Sequence, residues 1–134
     1  MRFFTQEEAN AALALVRPLA ERLVRRRREL VRVGSELGAV RGKVAGNGGS
    51  LDPEHVSRLQ SAAERVSAEL ASLVEELDTL GVQVKDLDRG LVDFPAVHPE
   101  SGETVLLCWE LGEEAVAYWH GLEDGYAGRK PLPF

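Results

Sequence analysis

Four side chains that can bind a metal ion or transfer a proton lie close together near the end of this 134-residue sequence: Cys108, Glu110, Glu113 and His120. A thiolate, an imidazole and a carboxylate together form a donor set that suits a transition metal. Their spacing matches no established ligand motif, and a single cysteine in a strand often serves as a small buried hydrophobic residue. The sequence therefore supports a metal site at Cys108, Glu113 and His120 as one hypothesis, with a structural role for the cysteine as the alternative.

Cys108 and His120 are also the residue types of a nucleophilic cysteine and its general base. A reactive thiolate needs positively charged surroundings that lower its pKa. The sequence around Cys108 is acidic instead, with Glu110 and Glu113 close by. The sequence therefore does not favour an enzyme, and it identifies no catalytic residue and no cofactor.

A glycine-punctuated loop near the C-terminus carries two cations, Arg129 and Lys130. Such a loop can form a concave cluster of backbone N–H groups, and together with the cations it would suit a carboxylate or a phosphate. The alternative is that Arg129 pairs with a nearby acid such as Asp93 or Glu113. The hypothesis of a ligand site in this segment uses five residues: Trp109, Glu113, His120, Tyr126 and Arg129.

The aromatic residues of the same segment also have two interpretations. They predict a small aromatic core, although a pocket around a ligand would use the same side chains. His120 has a structural alternative as well, because an imidazole near the end of a helix can cap the last carbonyl groups. The aromatic residues concerned are Phe94, Trp109, Trp119 and Tyr126.

Two long predicted helices precede the C-terminal segment that contains these candidate residues. Thr5 and Glu8 form a capping box, after which apolar residues recur in steps of three and four, so the pattern predicts helix 1 over residues 5–45. An aspartate followed by a proline begins helix 2, whose heptads run unbroken over residues 52–80. The glycine-rich stretch 46–50 predicts a turn. The helices should therefore form a long, antiparallel, coiled-coil-like hairpin.

Residues 82–134 change from heptad spacing to strict alternation, which is typical of β-strands. The acidic residues that follow Gly112 suit the start of a short C-terminal helix, which we expect to end near Gly121. The predicted fold is thus α+β, a single domain over residues 1–134 with a small three-stranded antiparallel sheet and a short C-terminal helix. The predicted strands are 82–86, 91–94 and 103–111.

Composition and charge limit the class of protein and the cellular location that this sequence fits. The chain is 44% hydrophobic and 28% charged, with one cysteine and no apolar run long enough for a membrane span, so we expect a cytoplasmic globular protein. Residues 1–50 contain ten of the 16 basic residues and five of the 22 acidic ones, so the second part is strongly acidic. An acidic second part repels phosphate, and the basic run Arg25–Arg28 is spread around a helix. Nucleic-acid binding is therefore not favoured.

A two-helix hairpin of this length buries one stripe per helix and leaves apolar residues on its flanks. Either the C-terminal segment or a second copy of the chain would cover them. The sequence thus predicts a homodimer formed through the hairpins, and a homo-oligomeric scaffold or interaction module as the function. The flanking residues are Leu13, Ala20, Val24, Val31 and Val74.

Several short motifs together resemble a known family. They are the opening Phe4–Asn10, the stretch Gly90–Pro95, Leu107–Trp109 followed by Leu111–Glu113, Trp119–His120, and Gly125–Arg129. With these motifs the chain resembles the small prokaryotic proteins grouped as domain of unknown function 2203, over essentially its whole length. The resemblance implies an uncharacterised protein and carries no set of functional residues.

Overall fold

The computed structural model describes the backbone of residues 1–47 and 52–134. Two α-helices, α1 (Gln6–Asn47) and α2 (Pro53–Thr79), precede a five-stranded sheet, so the predicted α+β class is confirmed. The strands are β1 (Gln83–Asp86), β2 (Leu91–Val97), β3 (Thr104–Glu110), β4 (Tyr118–Gly121) and β5 (Lys130–Pro131), with a 3-10 helix at Tyr126–Gly128. Within the described ranges, neither helix has a stretch long and apolar enough to cross a bilayer.

Both helices begin where the capping patterns predict. The Thr5 hydroxyl accepts a hydrogen bond from the Glu8 backbone N–H at 3.0 Å, and the Glu8 carboxylate accepts one from the Thr5 N–H at 3.0 Å. The Asp52 carboxylate accepts a hydrogen bond from the Glu54 N–H at 3.0 Å, with Pro53 in the first helical position. These side chains satisfy N–H groups that a helix start leaves without partners, which fixes where each helix begins.

The turn predicted at residues 46–50 lies mostly outside the described residues. Gly46 and Asn47 are described, and they continue α1 two residues past the predicted end. The helices run antiparallel, because the start of α1 lies beside the end of α2. There the Arg2 guanidinium donates a hydrogen bond to the Leu80 carbonyl at 3.3 Å.

The hairpin is held by its apolar stripes and by one charged group between them. Arg26 interrupts the apolar stripe of α1, and its Nε lies 2.7 Å from the Glu69 carboxylate on α2. Its Nη1 lies 2.6 Å from Glu29, one turn along α1. The guanidinium is therefore paired across the helix interface instead of being buried alone. The buried apolar residues of α2 are Leu59, Val66, Leu70, Leu73 and Leu77.

The sheet has five antiparallel strands in the order of the sequence, whereas three were predicted. The three predicted strands are present as β1, β2 and β3. The two additional strands are β4, which was predicted as the end of a helix, and β5, which was predicted as loop. In β4 the pairing places Tyr118 opposite Cys108 and His120 opposite Leu106, so β3 supplies the backbone partners that a helix would have supplied internally.

The prediction of a short C-terminal helix beginning at Gly112 is wrong. The connection from β3 to β4 runs along α1, and side chains of α1 bind its backbone. Asn10 accepts a hydrogen bond from the Val116 N–H at 2.7 Å and donates one to the Val116 carbonyl at 3.3 Å. Arg17 donates to the Glu113 carbonyl at 3.4 Å. Because these polar groups have partners on α1, the connection does not need helical hydrogen bonds.

The two faces of the sheet have different surroundings. The inner face packs against the helices and forms the hydrophobic core, while the outer face carries Asp93, Cys108 and His120. At the edge near β1, Arg27 of α1 pairs with Asp88 at 3.1 Å. The fold thus keeps polar chemistry on the outer face and apolar packing on the inner one. The inner face is formed by Val92, Phe94, Ala96, Val105, Leu107 and Trp109.

Candidate metal centre

Three side chains able to bind a metal ion converge on the outer face, one from each of three adjacent strands. Asp93 of β2 lies directly opposite Cys108 of β3, and His120 of β4 lies opposite Leu106, two residues from Cys108. Residues two apart on a strand share a face, and opposed residues are about 5 Å apart. One ligand atom from each of Asp93, Cys108 and His120 therefore lies within 4.8 Å of the other two, and all three residues are buried.

Each nitrogen of the His120 ring lies within hydrogen-bonding distance of an oxygen atom. Nδ1 lies 2.8 Å from the Gly121 carbonyl oxygen, which can only accept, so Nδ1 carries the proton and donates it. Nε2 then faces the Asp93 carboxylate at 3.2 Å. A metal-binding histidine usually anchors its second nitrogen on a carbonyl or carboxylate in this way, which sets the tautomer and the ring orientation. The ring is thus oriented to present Nε2 to an ion.

Cys108 is not suited to act as a nucleophile in this environment. Burial, followed by the nearby negative charge of Asp93, raises the pKa of the Cys108 thiol to about 12, although Arg129 acts in the opposite direction. The thiol is therefore protonated at neutral pH, and a protonated thiol is a poor nucleophile. A bound divalent cation reverses this effect, because a thiol that coordinates a metal ion loses its proton.

The three donors fit the geometry of a tetrahedral metal site. Zinc is held at about 2.3 Å by cysteine sulfur and at about 2.0–2.2 Å by histidine nitrogen or carboxylate oxygen, so neighbouring ligand atoms lie about 3.3–3.5 Å apart. His120 Nε2 and Asp93 Oδ1 are already close to this separation, at 3.2 Å. The Cys108 sulfur lies within 4.8 Å of both, so a movement of about 1 Å suffices to complete the site. One position of the tetrahedron remains for a fourth ligand.

Glu113 is turned away from this group and binds Arg129. The Arg129 Nη2 lies 2.7 Å and 2.8 Å from the two carboxylate oxygens of Glu113 and also donates to the Cys108 carbonyl at 3.3 Å. The guanidinium lies over the ring of Tyr118 at 4.1 Å and over that of Tyr126 at 4.7 Å. Arg129 therefore pairs with an acid, which is the alternative that the sequence left open for it. The pair ties the C-terminal segment to the backbone of β3.

The remaining candidate residues lie around the centre or on the other face. Trp109 is fully buried in the core, where its indole N–H donates to the Glu113 carbonyl at 3.0 Å. Glu110 binds Arg89 through both carboxylate oxygens, at 2.8 Å and 2.9 Å, and this hydrogen bonding lowers the pKa of Glu110. Tyr126 stacks under the same Arg89 at 4.1 Å. Glu110, Arg89 and Tyr126 thus form a group of paired charges with an aromatic ring, while Trp109 belongs to the core.

Asp93 is the residue that the sequence analysis did not include in the metal site. The structure brings Cys108 and His120 together as that hypothesis requires, but the carboxylate beside them belongs to Asp93 instead of Glu113. A signal for Asp93 exists in the sequence, because it stands between two strongly apolar residues, Val92 and Phe94, in a strand that is otherwise buried. An acidic side chain at such a position needs a buried partner.

A family model matches residues 2–132, nearly the whole chain, and the family is described as an uncharacterized conserved protein (DUF2203). The match confirms the resemblance that the short motifs indicated. No curated protein and no solved structure matches the chain. The family description names no ligand or reaction, so function must be argued from the geometry of the centre.

Proposed function

We propose that this chain, which belongs to the DUF2203 family, binds one divalent transition metal ion, with zinc as the best fit. The ligands are Asp93 Oδ1, Cys108 Sγ and His120 Nε2. The observation that carries the proposal is the convergence of these three buried donor atoms within 4.8 Å of one another. Zinc sites with three protein ligands and one open position use the same kinds of donor.

The energetics of burial support an ion at this place. Asp93 is 1% exposed and His120 is 3% exposed. Removing a carboxylate from water is costly, and with the ring proton on Nδ1 the Nε2 atom that faces Asp93 has no proton to donate to it. A divalent cation interacts favourably with the carboxylate, the imidazole and the thiolate at once. Metal binding would therefore recover desolvation cost that the Asp93–His120 contact leaves uncompensated.

The groups around the ligands also suit a metal centre. The Gly121 carbonyl fixes the His120 ring at 2.8 Å. Arg129 donates to the Cys108 carbonyl at 3.3 Å and thereby supports the backbone that carries the thiol. Such outer contacts orient ligands and usually contribute to metal affinity. We therefore expect Arg129→Gln to weaken metal binding by about tenfold without removing it.

Cobalt titration tests the proposal, because Co²⁺ replaces zinc in such sites and a thiolate ligand gives it a strong charge-transfer absorption. The wild-type protein should bind one Co²⁺ per chain with that absorption, and zinc should displace it. Asp93→Asn and His120→Ala should weaken binding at least about a hundredfold, and Cys108→Ser should abolish the charge-transfer band. His55→Ala removes a histidine of α2 and is the matched control, which should bind as the wild type does. Equal binding by wild type and His120→Ala would refute the site.

A second candidate function is a cytoplasmic homo-oligomeric scaffold formed through the hairpin. An apolar groove of about 400 Å³ lies between α1 and α2, lined by Leu15, Leu19 and Leu80, and Leu15 is 61% exposed. Arg22 and Glu76, of opposite charge, flank the same groove. In a two-fold dimer a surface meets itself, so Arg22 of one copy can face Glu76 of the other. The groove thus suits a second copy of this chain.

The oligomeric state can be measured by native mass spectrometry. The wild type should be a dimer at micromolar concentration, and Leu15→Glu should be a monomer, because the substitution buries a charge in the proposed interface. Val97→Glu is the control, since Val97 is 47% exposed but does not line this groove. A wild-type monomer, or a dimer unaffected by Leu15→Glu, would exclude this surface as the interface.

A further inference from the structure

A small cavity adjoins the proposed metal centre on the outer side of the sheet. Its volume is about 130 Å³, and Asp93 and His120 form part of its wall. Cys108 does not line it and is fully buried. Two of the three proposed ligands, the Asp93 carboxylate and the His120 imidazole, therefore border the cavity.

This arrangement determines where a fourth ligand can bind. With three positions of a tetrahedron taken by Asp93, Cys108 and His120, the remaining position points away from their common side. The cavity is the space that borders two of these ligands. An ion at the centre would thus be in contact with whatever occupies the cavity.

The cavity has walls of two kinds. Leu91 and Leu122 supply apolar surface, Tyr126 supplies a phenol, and the exposed Lys85 supplies a positive charge at the edge. The volume of about 130 Å³ is that of about four water molecules, well below the roughly 300 Å³ at which drug-sized ligand sites begin. An occupant must therefore be very small. Its charge should be negative, because the carboxylate and thiolate ligands neutralise a divalent ion and Lys85 leaves one positive charge at the cavity edge.

We propose that the cavity holds a small monocarboxylate of about four heavy atoms, of the size of acetate or formate, with one oxygen on the metal ion. The inference rests on the proposed metal site. The carboxylate replaces a water molecule as the fourth ligand, and its charge is balanced by Lys85. Its short apolar part packs against Leu91 and Leu122.

The experiment uses the full-length protein loaded with Co²⁺ and titrated with sodium acetate at constant ionic strength. Acetate should change the visible cobalt spectrum in a saturable way, because it replaces a ligand of the ion. Benzoate has nine heavy atoms and exceeds the cavity, so it should leave the spectrum unchanged. Lys85→Gln should weaken acetate binding about threefold to fivefold while the metal stoichiometry stays the same.

A matched variant separates the role of Lys85 from that of total charge. Lys130→Gln removes the same charge, but Lys130 lies over the ring of Trp119 and does not line the cavity. The Lys130→Gln variant should bind acetate as the wild type does. A cobalt spectrum that acetate does not change, or an equal response to acetate and benzoate, would overturn the carboxylate proposal and leave the metal site standing. Failure of the wild type to bind Co²⁺ would overturn both.

Discussion

The free energy of unfolding of the metal-free protein should fall as the pH rises above about 9, because Cys108 keeps its proton longer in the folded chain than in the unfolded one. Burial, followed by the charge of Asp93, raises the pKa of the thiol from 9.0 to about 12. Between these two values the unfolded chain binds fewer protons than the native chain, so stability must decrease with pH. Below about pH 9 the thiol is protonated in both states and the effect disappears.

The size of the effect follows from the two pKa values. The native thiol remains protonated at pH 10, whereas about nine tenths of the unfolded thiol is ionised, so the loss is about 1 kcal/mol. At pH 10.5 the loss reaches about 2 kcal/mol. A domain of this size is stable by about 5–15 kcal/mol, so urea unfolding followed by circular dichroism resolves this difference.

The comparison variant is Cys108→Ala. Other groups that titrate in this range, such as lysines and tyrosines, are the same in both proteins, and the packing cost of the lost sulfur is the same at every pH. The difference in unfolding free energy between wild type and variant, measured with chelator and reductant present, should therefore change by about 2 kcal/mol between pH 8 and pH 10.5. Parallel pH curves for the two proteins would refute the argument. With zinc bound the loss should be smaller, because the native thiol is then already ionised.

Three further predictions concern the packing that holds the sheet on the helices. Asn10→Ala should lower the free energy of unfolding by about 2 kcal/mol, since it leaves the buried Val116 N–H without its partner, whereas the Val116 carbonyl keeps the Gln6 amide; urea unfolding measures the change. Gly90→Ala should lower the free energy of unfolding by about 1–3 kcal/mol, because Gly90 has a φ of 63° and an added Cβ would lie 2.8 Å from the Leu111 side chain. A thermal melt measures this loss of stability. Leu77→Ala should cost about 3 kcal/mol by leaving a cavity at a fully buried position, again read from urea unfolding.

The helices could be predicted well because their signals are local. The capping residues Thr5 and Asp52 and the heptad spacing act within one or two turns, and both helices begin where those signals lie. The three strands with alternating residues were predicted for a similar reason. The β4 strand was missed because its partner, β3, supplies the backbone hydrogen bonds. The acidic residues after Gly112 looked like the start of a helix, while the carbonyl groups of Glu113 and Glu114 bind Arg17 on α1, about a hundred residues away.

The candidate site was predicted only in part, because some of its residues are marked by local signals and others are brought in by non-local pairing. Cys108 and His120 are reactive residue types within one short segment, so the sequence named both as candidate ligands, but it could not decide whether they converge on one site. The position of Asp93 depends on the register between β2 and β3, which places it opposite Cys108. That register is a non-local property, set by the turn after β2 and by which face of each strand is buried. Glu113 was the nearer carboxylate in the sequence, but Arg129 binds it at 2.7 Å.

The contacts by which α1 supports the sheet have a consequence for how the protein can vary. Asn10, Arg17 and Arg27, which hold the β3–β4 connection and the β1–β2 turn, all lie in the first 27 residues of the chain. At a rise of 1.5 Å per residue, the far end of α1 at Asn47 lies more than about 25 Å beyond Arg27 along the helix axis. Matched deletions or insertions of seven residues in both helices at that end would preserve the phase of the apolar stripes. The hairpin can therefore change length in whole heptads, as a spacer of adjustable reach, while the centre at its base keeps its geometry.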